Sequence, residues 1–250
     1  MSFNQNSVKV ELKDNYYEVI VRKGILKDCG QLISQLNVGK KCALISDSNV
    51  APLYASQVTE SLKKNEIDTE LIEVEAGEAS KSLESVENIC RKMIKAGHDR
   101  HAFVIALGGG VIGDLAGLVS SVFYRGIPLI QIPTTIVSQV DSAVGGKTGV
   151  NTPEGKNLIG SFYHPRLVIT DTLTLGSLPD REFNEGFAEV IKHAAIRDES
   201  MFEKIMNIDG RENLDELIIQ NVKIKARIVE EDEKELSGLR ALLNYGHTIG

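Results

Sequence analysis

The sequence predicts an α/β domain on a mostly parallel sheet, followed by an all-α segment. Three observations carry that reading. Short apolar runs alternate with amphipathic stretches through the first two-thirds of the chain, a glycine-rich turn joins one apolar run to a helical pattern, and the alternation stops after Leu178-Pro179. Candidate strands are Tyr17–Val21, Cys42–Ser46, Glu70–Glu75, Phe103–Leu107, Leu129–Pro133 and Leu167–Thr170. Helical periods around Val50–Lys64 and Ser82–Ala96 separate the second, third and fourth, the pattern of βαβ units. Beyond Pro179, the segments Arg181–Arg197, Leu214–Glu235 and one opening near Leu239 are all helical in period, with no strand candidate between them. The expected division is an α/β unit over residues 1–178 and the start of a helical unit over 179–250. The chain stops at Gly250, directly after Asn244-Tyr245-Gly246-His247-Thr248-Ile249, which reads as a helical unit cut short. A helical unit of about 70 residues is marginal alone.

Composition bounds the partners. With 42% hydrophobic and 25% charged residues in 250, the chain buries a core and is not disordered. The 28 Lys and Arg against 35 Asp and Glu leave −7, which weighs against nucleic acid or an anionic membrane as partner. An anionic ligand must then be met by a local cluster of cations. Cys29, Cys42 and Cys90 make no CxxC pair, which points to free thiols in a reducing cytoplasm. No stretch approaches the ~18 apolar residues of a membrane span, and the first residues carry no signal-peptide pattern.

The glycine-rich turn is the first functional signal. Phe103–Leu107 runs into Gly108-Gly109-Gly110 and then Val111-Ile112-Gly113-Asp114, so Gly108, Gly110 and Gly113 fit GxGxxG between a strand and a helix. Such glycines let the backbone approach a diphosphate seated on the free N–H groups of the helix start. A ligand-free strand–helix turn would use the same residues. No acidic residue lies ~20 positions downstream to hold a ribose, as the usual fingerprint requires. Asp47, at the end of the strand Cys42–Ser46, is the better candidate, with helix capping as its other reading.

Further motifs follow in order: Gln131-Ile132-Pro133-Thr134-Thr135, then Gln139-Val140-Asp141-Ser142-Ala143-Val144-Gly145-Gly146-Lys147-Thr148-Gly149, then Gly155-Lys156-Asn157-Leu158-Ile159-Gly160. Gly186-Phe187-Ala188-Glu189-Val190-Ile191-Lys192 and Gly238-Leu239-Arg240-Ala241-Leu242-Leu243-Asn244-Tyr245-Gly246-His247-Thr248 complete the set. From about Asp47 onward the chain resembles the dehydroquinate synthases of the sugar phosphate cyclase superfamily. That resemblance implies a Rossmann-like N-terminal domain, an α-helical C-terminal domain, and dependence on NAD and one divalent metal, Zn²⁺ or Co²⁺. It also implies a sugar-acid phosphate substrate, 3-deoxy-arabino-heptulosonate 7-phosphate, converted to 3-dehydroquinate and phosphate in the shikimate pathway. The implied course is transient oxidation by NAD, phosphate elimination, reduction and intramolecular aldol closure.

That substrate carries a phosphate and a carboxylate, and the motifs supply Arg125, Lys147, Lys156, Lys192, Lys225 and Arg240 to meet them. A single lysine is more often a solvated surface charge. Lys225 can be argued further, because Ile218, Val222, Lys225 and Val229 fall on one helical stripe that should pack inward. Snorkelling or a buried anion partner would each explain its place there. Lys147 and Lys156 sit in glycine-bordered stretches that read as flexible, ligand-wrapping loops. By resemblance they lie where nicotinamide and substrate phosphate meet, with Asn157 and Arg125 completing the phosphate clamp. The family contributes that arginine across a subunit interface, which implies a homodimer. Lys225 and Arg240 would hold the carboxylate, and Asp141, Lys192 and Asn244 the ring hydroxyls. NAD would be met by Ala76, Gly77, Glu78, Ala79, Ser80, Lys81, Gly110, Val111, Ile112, Gly113, Asp114, Thr134, Thr135, Thr174, Leu175, Gly176 and Ser177, with Asp47 on the adenosine ribose.

Glu189 and Lys192 stand at i and i+3 and share a helix face. By resemblance Glu189 and His247 are two metal ligands, and the third is a histidine the family carries beyond residue 250. His193, at i+4 from Glu189, is a substitute candidate beside the commoner reading of a satisfied core or interface histidine. His98, His101 and His164 have no clustered partners and read as structural. Competing readings are a sister cyclase making inosose or valiolone rings, a metal-dependent polyol dehydrogenase, and an inactive NAD-binding piece. The dehydrogenase would release NADH and leaves the VGGKTG and GKNLIG motifs unexplained. Lys225, Arg240 and Asn244 favour the dehydroquinate branch over its sisters, since a carboxylate needs such cations.

Overall fold

Strands rich in Val, Ile and Leu on both faces must be covered on both sides, and the chain obeys that constraint. The computed structural model describes residues 6–208 and 210–246. Its first half runs β1 (Ser7–Glu11), β2 (Tyr16–Val21), α1 (Cys29–Ser34), β3 (Lys41–Asp47), α2 (Ala51–Lys64), β4 (Asp68–Val74), α3 (Leu83–Lys95), β5 (Phe103–Gly108) and α4 (Gly110–Val122). There follow β6 (Leu129–Pro133), β7 (Lys147–Thr152), β8 (Gly155–Phe162) and β9 (Leu167–Thr170), then α5 (Asp180–Arg197), α6 (Met201–Met206) and α7 (Asp215–Glu231).

Seven strands form one sheet in the order β1-β2-β9-β6-β5-β3-β4. All its neighbours pair in parallel except β1 with β2. One face buries Leu44, Phe103, Ile105 and Ile130 against α1 and α2, through residues such as Ile33, Val58 and Leu62. The other buries Ala43, Ile45, Val104 and Leu129 against Ile89 and Met93 of α3 and Leu115 and Val119 of α4. A third cluster joins Val8, Val10, Val19 and Val21 of the β1–β2 hairpin to Val190 of α5 and Ile218, Val222 and Val229 of α7. The helical segment therefore rests on the antiparallel edge of the sheet. In this way α7 turns the Lys225 stripe inward, as its spacing predicts.

The chain leaves β3 toward β4 on one side and returns through β5 on the other. The crevice beyond the carboxyl ends of β3 and β5 is thus a topological switch point, where open α/β sheets gather ligands. Asp47 closes β3, and Gly108 closes β5.

Two expectations need correction. Lys147 and Lys156 do not lie in loops; they belong to β7 and β8, a separate antiparallel hairpin over α4. Its glycines serve close approach. Gly149 and Gly160 face each other across the strands, and a Cβ on Gly160 would come within 2.1 Å of the Thr148 carbonyl oxygen. In addition, α7 ends at Glu231, short of Glu235. Asp232 breaks it by accepting backbone N–H groups from Leu236 at 2.8 Å, Ser237 at 3.0 Å and Arg240 at 3.3 Å. The segment opening near Leu239 is a short 3-10 turn over Leu239–Asn244. β1, α1 and α6 are additions, and the two helices, six residues each, are too short for a helical period to show.

The Asp232 turn sets the position of Arg240. Hydrogen bonding, first from the Ser237 N–H, holds its carboxyl down at about 2. A carboxyl depressed on folding stabilises the fold above its unfolded value of about 4, and that stabilisation is lost as pH falls through about 2. Asp232→Asn is accordingly expected to lower Tm by a few degrees at neutral pH. The gap from the parent protein should narrow as thermal melts are taken down from pH 4 toward pH 2. A gap that stays constant through that window would contradict the assignment.

Candidate active site

A cavity of about 560 Å³ opens between the β7–β8 hairpin, the start of α4 and the helical segment. Asp114, Asp141, Lys147, Asn157, Lys225 and Arg240 line it, so six of the residues singled out in the sequence converge on one space. Each arrives from a different place. Asp141 stands on a π-turn over Ser138–Ser142, and this wider turn carries its carboxylate toward α7. Lys225, almost fully buried, donates from Nζ to the Asp141 carbonyl at 2.6 Å and to Oδ1 at 2.5 Å. Burial alone would raise the Asp141 carboxyl, but the ammoniums of Lys225 and Lys192 overcome it and hold it at about 2. Burial likewise draws Lys225 below its ordinary value, opposed by Asp141.

The Gly145-Gly146 turn delivers Lys147. Both glycines have positive φ, 108° and 69°, and side chains would not fit: a Cβ on Gly145 would lie 2.6 Å from Arg240 Nη2, and one on Gly146 2.6 Å from His164 Nδ1. Arg240 Nη1 donates to the Gly145 and Glu233 carbonyls at 3.3 and 3.0 Å, and the Tyr17 hydroxyl accepts the Gly145 N–H at 3.1 Å. Lys147 then reaches Glu235 at 2.6 Å across the cavity mouth.

On the sheet side, α4 starts at Gly110 behind the extended Gly109, with no side-chain cap, so its first N–H groups are left for a ligand. The cradle is tight: a Cβ on Gly110 would come 3.1 Å from Ser142 Oγ, and one on Gly109 3.1 Å from Thr135 Cγ2. Asp47 Oδ1 accepts the N–H groups of Asn49 and Val50 at 2.9 and 3.0 Å, so it does brace the start of α2. Lys81 is buried and donates to Asp114 Oδ2 and Asn157 Oδ1, each at 2.5 Å. The segment Ala76–Lys81 is tied to Ser48 through the Ala76 N–H and to Asn151 through Glu78 and the Lys81 carbonyl. Thr174 Oγ1 accepts from Gln139 Nε2 at 3.1 Å, and Ser177 Oγ stands 2.6 Å from the Tyr54 hydroxyl.

Behind the cavity, Lys192 pairs with Glu189 on α5. A ring nitrogen of His193 and one carboxylate oxygen from each of Asp141 and Glu189 lie within 4.8 Å of one another. His247 lies outside the described residues. Arg125, Lys156 and Asn244 are exposed and do not line the cavity. Sequence reasoning missed Glu235, Glu233, Gln139 and Tyr17. The two glutamates sit in an acidic run that reads as a solvated helix end, and nothing local marks them.

Residues 71–185 match the family described as 3-dehydroquinate synthase N-terminal, and residues 186–250 the one described as 3-dehydroquinate synthase C-terminal. A 3-dehydroquinate synthase of Prochlorococcus marinus is 47% identical over 97% of this chain and 69% of its own length. One from Thermodesulfovibrio yellowstonii is 46% identical over 97% of this chain and 69% of its own length. Among solved structures, 2-deoxy-scyllo-inosose synthase complexed with carbaglucose-6-phosphate, NAD⁺ and Co²⁺ superposes with TM-score 0.88 at 28% identity, over 97% of this chain and 68% of that one. A 2-epi-5-epi-valiolone synthase from Streptomyces hygroscopicus with NAD⁺ and Zn²⁺ bound gives 0.82 at 29%, over 95% and 67%. An iron-containing alcohol dehydrogenase, at 19% identity and TM-score 0.70 over 86% of this chain and 67% of its own, shares the fold alone. The chain belongs to the 3-dehydroquinate synthase family.

Proposed function

We propose that this chain converts 3-deoxy-arabino-heptulosonate 7-phosphate to 3-dehydroquinate and phosphate, as a carbon–oxygen lyase of aromatic amino acid biosynthesis. The observation that carries the reading is the convergence of Lys147, Lys225, Arg240, Asp141 and Asn157 on one cavity beside the switch-point crevice. Its volume suits a sugar-acid phosphate, since small-molecule pockets span about 300–1,000 Å³. Residues 1–178 would bind NAD, and 179–250 begin the helical unit that carries metal and substrate contacts.

In this reading Lys225 and Arg240 hold the substrate carboxylate, Arg240 through its fork. Lys147 and Asn157, which line the cavity, take the phosphate, while Lys156 stands exposed outside it. Asp141 is ionised at neutral pH, so it accepts a hydrogen bond from a ring hydroxyl. The entering anions draw Lys147 away from Glu235 and share Lys225 with Asp141. Two carboxylates are thereby freed inside the cavity to orient hydroxyl protons. The uncapped start of α4 and its glycine cradle fit a diphosphate, with Thr134 and Thr135 beside it, Ala76–Lys81 and Thr174–Ser177 flanking, and Asp47 toward the ribose. NAD supplies reversible hydride acceptance when bound. Glu189 and His247 would hold a divalent cation, which would supply Lewis-acid polarisation of a substrate oxygen. The free thiols and a fold in which no described helix is long and apolar enough to cross a membrane support a cytoplasmic setting.

Arg125 supports a homodimer. It is exposed, and both it and Tyr124 hold left-handed backbone, φ 67° and 47°, which non-glycine residues adopt at a cost. Val122 and Tyr124 next to it are exposed apolar side chains. A second copy seated there would receive Arg125 at its substrate phosphate.

Phosphate release from the heptulosonate phosphate with NAD and Zn²⁺ or Co²⁺, without net NADH, is the expected outcome. Accumulating NADH would favour a polyol dehydrogenase and overturn the reading. Arg240→Lys is expected to lower kcat/KM about 10- to 100-fold, the loss of one or two charge-assisted hydrogen bonds. For the dimer, Arg125→Ala and Lys225→Met are each expected to be nearly inactive alone. Coexpressed, they should regain about a quarter of the activity, because mixed dimers rebuild one whole site. No recovery would place Arg125 outside the partner's site.

A further inference from the structure

His193 is fully buried one turn beyond Glu189 on α5. Its Nδ1 lies 3.0 Å from Asn221 Oδ1 on α7, and Asn221 donates its own Nδ2 to the Leu217 carbonyl at 2.8 Å. With that amide nitrogen committed as a donor, Asn221 Oδ1 is the acceptor. His193 therefore carries its proton on Nδ1 and offers a bare lone pair at Nε2. That lone pair has no hydrogen-bond partner among the described residues. Buried polar atoms are seldom left so, and an orphan of this kind calls for a ligand.

The surroundings say which ligand. A ring nitrogen of His193 and one carboxylate oxygen from each of Asp141 and Glu189 lie within 4.8 Å of one another. With Nδ1 engaged by Asn221, Nε2 is the nitrogen free to take a cation. A neutral imidazole whose far nitrogen is fixed by a side-chain oxygen is the arrangement by which proteins orient a histidine toward a metal. One imidazole with two carboxylates suits a borderline divalent cation such as Zn²⁺ or Co²⁺. The Lys192 and Lys225 ammoniums now stand on Glu189 and Asp141, and an entering dication takes over the compensation they provide.

We propose that His193, oriented by Asn221, donates Nε2 to the divalent cation held by Glu189, with Asp141 as the neighbouring carboxylate. This rests on the reading that α5 carries the metal, and it adds a donor that reading does not include.

The test is titration of the metal-free protein with Co²⁺, read by its visible absorption and dissociation constant. His193→Asn keeps an N–H toward Asn221 and deletes the Nε2 donor, while His193→Gln places a polar atom near the Nε2 position. His193→Asn is expected to weaken Co²⁺ binding at least about 10-fold and to shift the absorption bands, with Tm of the metal-free protein little changed. His193→Gln should lose less, and it serves as the test protein should the asparagine variant fail to fold. Unchanged affinity and spectrum in the folded variants, or a fall in Tm with no effect on Co²⁺, overturns the assignment of His193 alone. Wild-type protein that binds no Co²⁺ overturns the metal reading and this inference together.

Discussion

Three lysines, Lys81, Lys192 and Lys225, are each no more than 6% exposed, and each stands on a carboxylate: Asp114, Glu189 and Asp141. An ammonium cannot be buried unpaired, so these couples constrain everything around them. They add little net stability, because desolvation offsets most of the attraction, but deleting one partner strands the other at about 3–5 kcal/mol. Two of the three join distant parts of the chain. Lys81, after β4, meets Asp114 on α4, and Lys225 on α7 meets Asp141 on the π-turn. The helical segment is thus pinned to the sheet by charge as well as by the apolar contacts of β1, β2 and α7.

This pairing also reconciles a chain of net charge −7 with an anionic substrate. A cavity of bare cations would be costly to fold and prone to unselective anion binding. Here Lys147, Lys225 and Lys81 each have a resident carboxylate, and a ligand must offer as much as the group it displaces. A sugar acid phosphate carries two anionic groups and hydroxyls to satisfy the released carboxylates. A neutral polyol has nothing to exchange. The discrimination lies in what must be broken as much as in what is formed.

What could be read from the sequence was whatever has a period or a fixed neighbourhood. The Lys225 stripe follows from helical spacing, and Gly108–Gly113 from a strand running into a helix. The β7–β8 hairpin was hidden because Gly145, Gly146, Gly149, Gly155 and Gly160 resemble loop punctuation, whereas at Gly149 and Gly160 they allow two backbones to touch. Glu235 was hidden in an acidic run that only the Asp232 turn bends back to the cavity. His193 stood open between two readings because the choice depends on Asn221, 28 residues away, and on which way its amide points.

Lys81 connects the two halves of the proposed chemistry. Its ammonium touches Asp114 at the start of α4, the cofactor side, and Asn157 on β8, the phosphate side. Asn157 has left-handed backbone, φ 58°, and its N–H donates to Asn151 Oδ1 at 2.9 Å, while the Asn151 N–H donates to the Lys81 carbonyl at 2.9 Å. These contacts close a ring: Lys81 to Asn157, Asn157 to Asn151, Asn151 back to Lys81. A residue on an otherwise exposed strand is thereby fixed from two sides, at its side-chain amide and its backbone N–H, so its strained backbone persists. Anything that orders Asp114 and Lys81 also orders the Asn157 amide proposed to face the phosphate. The hairpin need not be flexible to receive a ligand, because its orientation is set from the cofactor crevice.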